Sequence, residues 1–241
     1  MIDINKLSKL SKEYGVDIPQ ERLRYFDVVA SQLVEKNKLY NLTAITDPDE
    51  ILTKHIIDSL TLVPVLNDVV ESGEVLDVGT GAGFPGVVAA LAADNLHFSL
   101  LDSIEKKTNY LSELIEELSD AFSQAPDVYC ARAEELSRME EYREQFNVCT
   151  SRAVASLNCL IELCVPFIKK GGHFIAMKGK NADAELEEAA NAISALSIRL
   201  VKKHSIILPD GSERYILDFV KEAETDEKYP RRAAAIKKRP L

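Results

Sequence analysis

Val75-Leu76-Asp77-Val78-Gly79-Thr80-Gly81-Ala82-Gly83-Phe84-Pro85-Gly86 decides the fold of this chain of 241 residues. The segment begins as a short apolar strand and ends by opening a helix. The glycines between let the backbone turn sharply and approach a ligand with no Cβ in the way. In an open α/β sheet ligands lie at the carboxyl ends of the strands, where such a loop stands. Read from Gly81, the segment satisfies the dinucleotide pattern G-x-G-x-x-G through Gly83 and Gly86. Pro85 interrupts that pattern, and the glycines begin earlier, at Gly79. Asp77 with Gly79, Gly81 and Gly83 has instead the D-x-G-x-G-x-G form that suits S-adenosylmethionine. The amino-acid end of that molecule lies over the glycines, and no pyrophosphate has to be cradled.

Outward from the loop, short apolar strands alternate with amphipathic helices. Strands are predicted over Glu74–Val78, Leu96–Leu101, Asp127–Ala131, Phe146–Thr150 and His173–Met177. Leu111, Leu114, Ile115 and Leu118 give one intervening helix a clean apolar stripe. Such alternation implies right-handed crossovers and a mostly parallel sheet. After a helix near Ala182–Leu196, two extended runs, Ile198–Leu208 and Arg214–Val220, flank the turn signal Pro209-Asp210-Gly211. The fold class is therefore α/β, a Rossmann-like seven-stranded methyltransferase sheet with its last strand antiparallel. Asp102 closes the second strand, where a carboxylate takes both hydroxyls of a ribose. That position fits NAD as well as S-adenosylmethionine. The reversed terminal hairpin separates the two, because it departs from the dehydrogenase sheet.

Upstream, the first 72 residues read as a helical extension. Leu23, Phe26, Ala30, Leu33 and Val34 recur at helical spacing. Asp47, Pro48 and Glu50 form a helix start, followed by the stripe Leu52, Ile56, Leu60 and Val63. The expected organisation is a helical extension at 1–72, a cofactor-binding methyltransferase domain at 73–222, and a basic tail at 223–241. No run of about 18 apolar residues predicts a membrane span. The N-terminus has no apolar secretory core, and four cysteines (Cys130, Cys149, Cys159, Cys164) show no paired spacing. A reduced cytoplasmic protein acting as a monomer is expected, with most of these cysteines buried.

The formal net charge is −10, which by itself argues against nucleic acid as a partner. Its distribution softens that reading. Residues 230 to 241 hold Arg231, Arg232, Lys237, Lys238 and Arg239 and no acid, so the first 229 carry −15. Such a patch grips phosphates locally, and the tail is expected to carry any nucleic-acid affinity without touching cofactor binding. A frayed, solvated terminus is the plainer alternative.

Methyl transfer from a sulfonium depends mainly on proximity and orientation. Carbon-5 methylation of a pyrimidine needs a nucleophilic cysteine, commonly in a Pro-Cys pair, and none occurs. The loop after the fourth strand reads Thr150-Ser151-Arg152-Ala153, not the Asn/Asp-Pro-Pro-aromatic loop of many amino-group methyltransferases. A ring nitrogen such as guanine N7 carries a free lone pair and needs no general base.

With these residues in view, the chain resembles the ribosomal small-subunit methyltransferase G family, also called the glucose-inhibited division protein B family. Asn41-Leu42-Thr43-Ala44-Ile45-Thr46 and His55-Ile56-Ile57-Asp58-Ser59-Leu60 resemble its N-terminal signatures, and Asp77 to Gly86 its cofactor loop. Leu101-Asp102-Ser103, Arg132-Ala133-Glu134-Glu135, Ser151-Arg152-Ala153 and Met177-Lys178-Gly179 follow in the family's order. The resemblance implies transfer of a methyl group from S-adenosylmethionine to N7 of guanine 527 in 16S ribosomal RNA, free or in the small subunit. It implies that Gly79, Phe84, Ala133, Glu134 and Arg152 contact the cofactor, and it adds Ser103 beside Asp102. Asn41, His55, Asp58, Ser59 and Lys178 become substrate-side candidates, with Arg231 and Arg232 from the tail. The tail departs from the family in having Ala233-Ala234-Ala235-Ile236 where a glycine and a proline are usual.

Other readings of these residues stay open. His55 and Asp58 also read as a surface pair on one helix face, and Lys178 as a solvated strand end. His97, His173 and His204 read as structural, and Glu134 to Glu144 as a solvated helix face. A methyltransferase for a small molecule or a protein, or a cofactor-binding regulator without catalysis, remains the alternative function.

Overall fold

The polypeptide reaches its sheet only after a run of helices. In the computed structural model, which describes residues 1–152 and 155–241, α1 spans Ile4–Glu13 and α2 Leu23–Tyr40. The start chemistry of the next helix is realised. Asp47 accepts from the Asp49 and Glu50 amides at 3.0 Å each, and Pro48 takes the first helical position. α3 (Pro48–Ile51) runs directly into a π-helical turn at Leu52–Ile57 and then α4 (Asp58–Leu60). After Thr61 the chain continues as α5 (Leu62–Val69). Leu52, Ile56, Leu60 and Val63 are buried as expected. The π turn is not legible in their spacing.

The alternating region follows as β1 (Gly73–Val78), α6 (Gly86–Ala92), β2 (Leu96–Asp102), α7 (Glu105–Glu117), β3 (Asp127–Cys130), α8 (Ala133–Leu136) and β4 (Phe146–Arg152). It continues with α9 (Leu157–Cys164), β5 (Ile168–Lys178), α10 (Ala182–Glu188), α11 (Ala190–Ala195), β6 (Ile198–Ile207) and β7 (Glu213–Lys221). The sheet order is β3-β2-β1-β4-β5-β7-β6. β1 to β5 pair in parallel, and β7 is antiparallel to both its neighbours. The hairpin closes at the expected turn, where the Leu208 amide donates to Ser212 O at 2.9 Å and Gly211 takes φ +81°.

Period-two alternation sends neighbouring residues to opposite faces of this sheet. Val75, Ile175 and Met177 join the apolar cluster containing Leu23, Phe26, Leu33, Ile56 and Leu111. Leu76, Val78, Phe174 and Ala176 join the one containing Leu160, Ile161 and Ala192. The N-terminal helices thus share a core with the sheet. Strand order reverses between β1 and β4, which makes their carboxyl ends the ligand edge.

Several local expectations need correction. Glu134 to Glu144 is one helical turn, α8, followed by turns, because Glu144 is drawn inward. It accepts from Lys221, whose side chain has no exposure, at 2.5 Å and from the Thr225 amide at 2.7 Å. The helix expected over Ala182–Leu196 is two short helices meeting at Ala189. Only Cys149 and Cys164 are buried; Cys159 is half-buried and Cys130 exposed. Tail residues Ala233–Lys238 form α12, which packs on α9 through buried Ile236. Among the described residues, no helix is long and apolar enough to cross a membrane. Ala153 of the Ser151-Arg152-Ala153 motif lies outside the described residues.

Candidate functional site

The glycine loop is fastened at both ends by carboxylates. Asp77 is wholly buried in β1, and its Oδ2 accepts from the Gly86 amide at 2.8 Å. Burial pushes its carboxyl up to about 6. A Cβ at Gly86 would stand 2.3 Å from Leu100 Cδ2 and 2.8 Å from that Asp77 oxygen, so only glycine admits the contact. At the other end, Gly81 donates to Asp102 Oδ2 at 3.0 Å, while Gly79 and Thr80 donate to Leu101 O at 2.8 and 3.1 Å. Asp102 Oδ1 accepts from the Ile104 amide at 3.0 Å, and Lys107 Nζ lies 3.4 Å from Oδ2. Gly79, Gly81 and Gly83 all have φ between +63° and +91°.

Above this loop opens a cavity of about 500 Å³. Of the residues predicted to hold a cofactor, Gly79, Gly81, Phe84, Asp102, Ser103, Ala133, Glu134 and Arg152 line it. Asp77 and Gly83 do not; they shape the loop from beneath, Gly83 against Val87 and Leu111. Thr43, Ile104, Lys107 and Arg132 also line it. Of these, only Thr43 and Arg132 fall within motifs the sequence singles out, and neither is named there as a contact. An adenosine with a charged amino-acid end fits this set. Asp102 and Glu134 offer acceptors, Ile104 and Leu101 an apolar wall, and a Cβ at Gly81 would meet only the Gly79 carbonyl oxygen, at 3.9 Å.

Phe84, in the wall of the first cavity, gathers two further side chains. His55 stacks on it at 4.7 Å between centroids, and the Arg152 guanidinium lies over its face at 5.5 Å. His55 sits in the π turn, a local widening that recurs at functional sites. Its Nε2 lies 3.0 Å from Thr43 Oγ1, and Nδ1 has no partner among the described residues. Burial first, and then the nearby Arg152 charge, lower its pKa to about 4, so the ring is neutral at pH 7. Arg152, at the end of β4, donates to Asp58 Oδ2 at 2.8 Å, and Arg214 Nε of β7 lies 3.2 Å from Oδ1. Asp58 is thus a nearly buried carboxylate between two guanidinium groups, not a surface partner of His55.

His55 and Arg152 also line a second cavity of about 550 Å³. Lys54, Asp58, Lys178, Glu185 and Arg214 contribute its charges, and Ile45 and Met177 its apolar surface. Four of the six charged side chains, counting Arg152, are cationic. Lys178 is no solvated strand end: it is 6% exposed, donates to Ala155 O at 2.8 Å and pairs with Glu185 at 2.6 Å. Of the other substrate-side candidates, Ser59 is fully buried and donates to His55 O at 2.6 Å. Asn41 ends α2 at φ +50° and lines neither cavity. Arg231 is held by Glu162, which has no exposure: its amide and Nε reach Oε1 at 2.8 Å each and its terminal nitrogen Oε2 at 2.6 Å. Arg232 is exposed and borders a third cavity of about 630 Å³ with Ala233, Ala234 and Glu134. Glu134 lines this cavity and the first alike, while no residue of the tail lines the first.

Residues 22–211 match the family model described as rRNA small subunit methyltransferase G. The chain is 41% identical over 231 residues to the ribosomal RNA small subunit methyltransferase G of Macrococcus caseolyticus, covering 95% of each. It is 39% identical over 232 residues to the protein of that name from Streptococcus pyogenes serotype M1, covering 95% of this chain and 96% of that one. Among solved structures, a SAM-dependent methyltransferase from Methanosarcina mazei shares the fold, with a TM-score of 0.52 at 12% identity over 67% of this chain and 98% of its own.

Proposed function

This chain belongs to the rRNA small subunit methyltransferase G family, and we propose that it methylates N7 of a guanine, position 527 by family resemblance, in 16S ribosomal RNA. It is an S-adenosylmethionine-dependent methyltransferase. The observation that carries the substrate reading is the pair of cavities sharing His55 and Arg152, one bounded by the glycine loop and the other rich in cations. The first takes the cofactor, with Asp102 on the ribose, Arg152 on the carboxylate, and Ser103, Ala133 and Glu134 along the adenosine. Asp77 and Gly83 act indirectly, by holding the loop. The second takes the target base, presented with N7 toward the first. Residues 1–72 then serve as a wall of both cavities, through Thr43 and His55, more than as a detachable extension.

The cofactor supplies an electrophilic methyl group on a sulfonium. The protein's part is to hold the acceptor nitrogen in line with it and to exclude water. Guanine N7 brings its own lone pair, so His55 has no proton to remove. A neutral imidazole with a pKa of about 4 is a poor base at pH 7 but a sound stacking surface. Incubating labelled cofactor with small subunits lacking the methyl group, then mapping the modified nucleotide, tests the assignment. Label in protein, or at another atom, would overturn it.

Two outcomes follow from the site. Asp102→Ala should weaken S-adenosylhomocysteine binding by about ten- to a hundredfold in calorimetry, the loss of charge-assisted hydrogen bonds partly replaced by water. Some of that loss comes through the loop, since Gly81 also loses its acceptor. Unchanged affinity would remove Asp102 from the ribose.

Single-turnover transfer should be nearly flat from about pH 6.5 to 8.5, because guanine N7 needs no base and His55, lowered to about 4, stays neutral throughout, while Asp77, raised to about 6, only completes its ionisation at the lower end. Stability should be flat above about pH 7 as far as these two groups act. His55, lowered in the folded state, costs stability as pH falls from 6.5 through 4. Asp77, raised, costs stability as pH rises from 3.8 through 6, so the two oppose each other below neutrality. A bell-shaped rate profile with an apparent pKa near 7 would instead make His55 the first suspect as a base.

A further inference from the structure

The geometry points to Glu185 as the residue that selects guanine, by accepting hydrogen bonds from the base's N1–H and N2 amino groups. This rests on the second cavity being the seat of the target base. For N7 to face the first cavity, that edge of the purine must point at the wall formed by His55 and Arg152. The N1 and N2 edge lies on the opposite side of the ring. It therefore meets residues that line the second cavity alone, of which Asp58 and Glu185 carry carboxylates.

Asp58 is not available. It is 3% exposed: Oδ2 accepts from Arg152 at 2.8 Å, and Oδ1, without a hydrogen bond among the described residues, is shut away from the cavity 3.2 Å from Arg214 Nε. Glu185 is differently placed. Its Oε2 is taken by the Leu157 amide at 2.8 Å and by Lys178 Nζ at 2.6 Å, which fix the side chain. Oε1 receives no hydrogen bond among the described residues, and the side chain remains 24% exposed. A fixed carboxylate with one free oxygen on a cavity wall is an acceptor waiting for donors. Guanine offers two donors on that edge. Adenine offers N1 as an acceptor there, so a carboxylate facing it would be left unpaired and repelled. Ile45 and Met177 supply apolar surface for the ring faces.

The test uses small subunits assembled with RNA bearing either guanine or inosine at the target; inosine lacks only the N2 amino group. The wild-type protein should prefer guanine by roughly tenfold in kcat/KM, the worth of one hydrogen bond to a charged acceptor. In Glu185→Gln the amide oxygen still serves Leu157 and Lys178, which turns the amide NH2 toward the base, donor against donors. Transfer to guanine should fall by about 10- to 100-fold, and the guanine-to-inosine ratio should approach one. S-adenosylhomocysteine affinity should stay within about twofold, because Glu185 does not line the first cavity. Glu185→Asp, with the carboxylate kept, should retain the guanine preference at a lower rate.

An unchanged ratio in Glu185→Gln, or loss of the preference in Glu185→Asp, would overturn the assignment. If the wild-type protein itself fails to methylate guanine N7 in these subunits, the broader reading of the function fails. The two failures are read from different arms of one experiment.

Discussion

Arg231→Ala should lower the stability of the fold by about 3 kcal/mol, the lower end of the range for breaking a buried ion pair. The reason lies in the partner: Glu162 has no exposure, and Arg231 supplies a side-chain bond to each of its oxygens. Without that side chain the carboxylate keeps only the backbone amide of residue 231. The low end is appropriate because the arginine side chain is 26% exposed and partly screened. For a domain of this size the melting temperature should drop by roughly 6–12 °C. Glu162→Leu combined with Arg231→Met should recover most of it, since an apolar pair of similar volume leaves no buried charge. A melting curve for Arg231→Ala that overlays the wild type would mean the tail is not docked as described. The same pair changes how the tail's grip on RNA is to be measured. Deleting residues 230 to 241 removes a structural ion pair together with the free cations. Neutralising the exposed Lys237, Lys238 and Arg239 isolates the electrostatic part.

Arg152→Ala carries the second large effect, and it acts on two quantities at once. Asp58 would lose its 2.8 Å partner and keep only Arg214, whose Nε stands 3.2 Å from the other oxygen. That should cost about 2–3 kcal/mol, somewhat less than a buried carboxylate left with no partner at all. Cofactor affinity should fall by about 10- to 100-fold, because the guanidinium lines the cavity over Phe84, where a carboxylate would be recognised. Arg152→Lys keeps a charge but loses the planar fork, so it should restore stability more fully than binding. Thermal melting read beside S-adenosylhomocysteine calorimetry separates the two. Normal cofactor affinity in a destabilised Arg152→Ala protein would leave the residue a purely structural role.

Much of the first cavity is legible in the sequence. Asp77 to Gly86 is a local signal, because a tight strand-to-helix turn at φ near +80° restricts its own residues to glycine. Asp102 is legible for the same reason, as the last residue of a strand recognised by its own pattern. Terminal hairpin chemistry is equally local, which is why Pro209-Asp210-Gly211 marked the turn and the reversed last strand with it.

Contacts between distant segments decided the rest. Lys178 reads as a strand end until Glu185 arrives from the next helix, and Glu144 as one more surface acid until Lys221 buries beside it. Charge counting makes the tail either a phosphate-gripping patch or a frayed terminus; only the packing of α9 shows a buried Glu162 claiming one of its arginines. In the second cavity His55, Asp58, Arg152 and Lys178 fall in motifs the sequence singles out, whereas Glu185 and Arg214 do not, because they arrive from α10 and β7. Composition and periodicity report what a segment does with its own backbone and with the core. They are silent on which charge meets which across the chain, since that pairing depends on distances only the folded molecule sets.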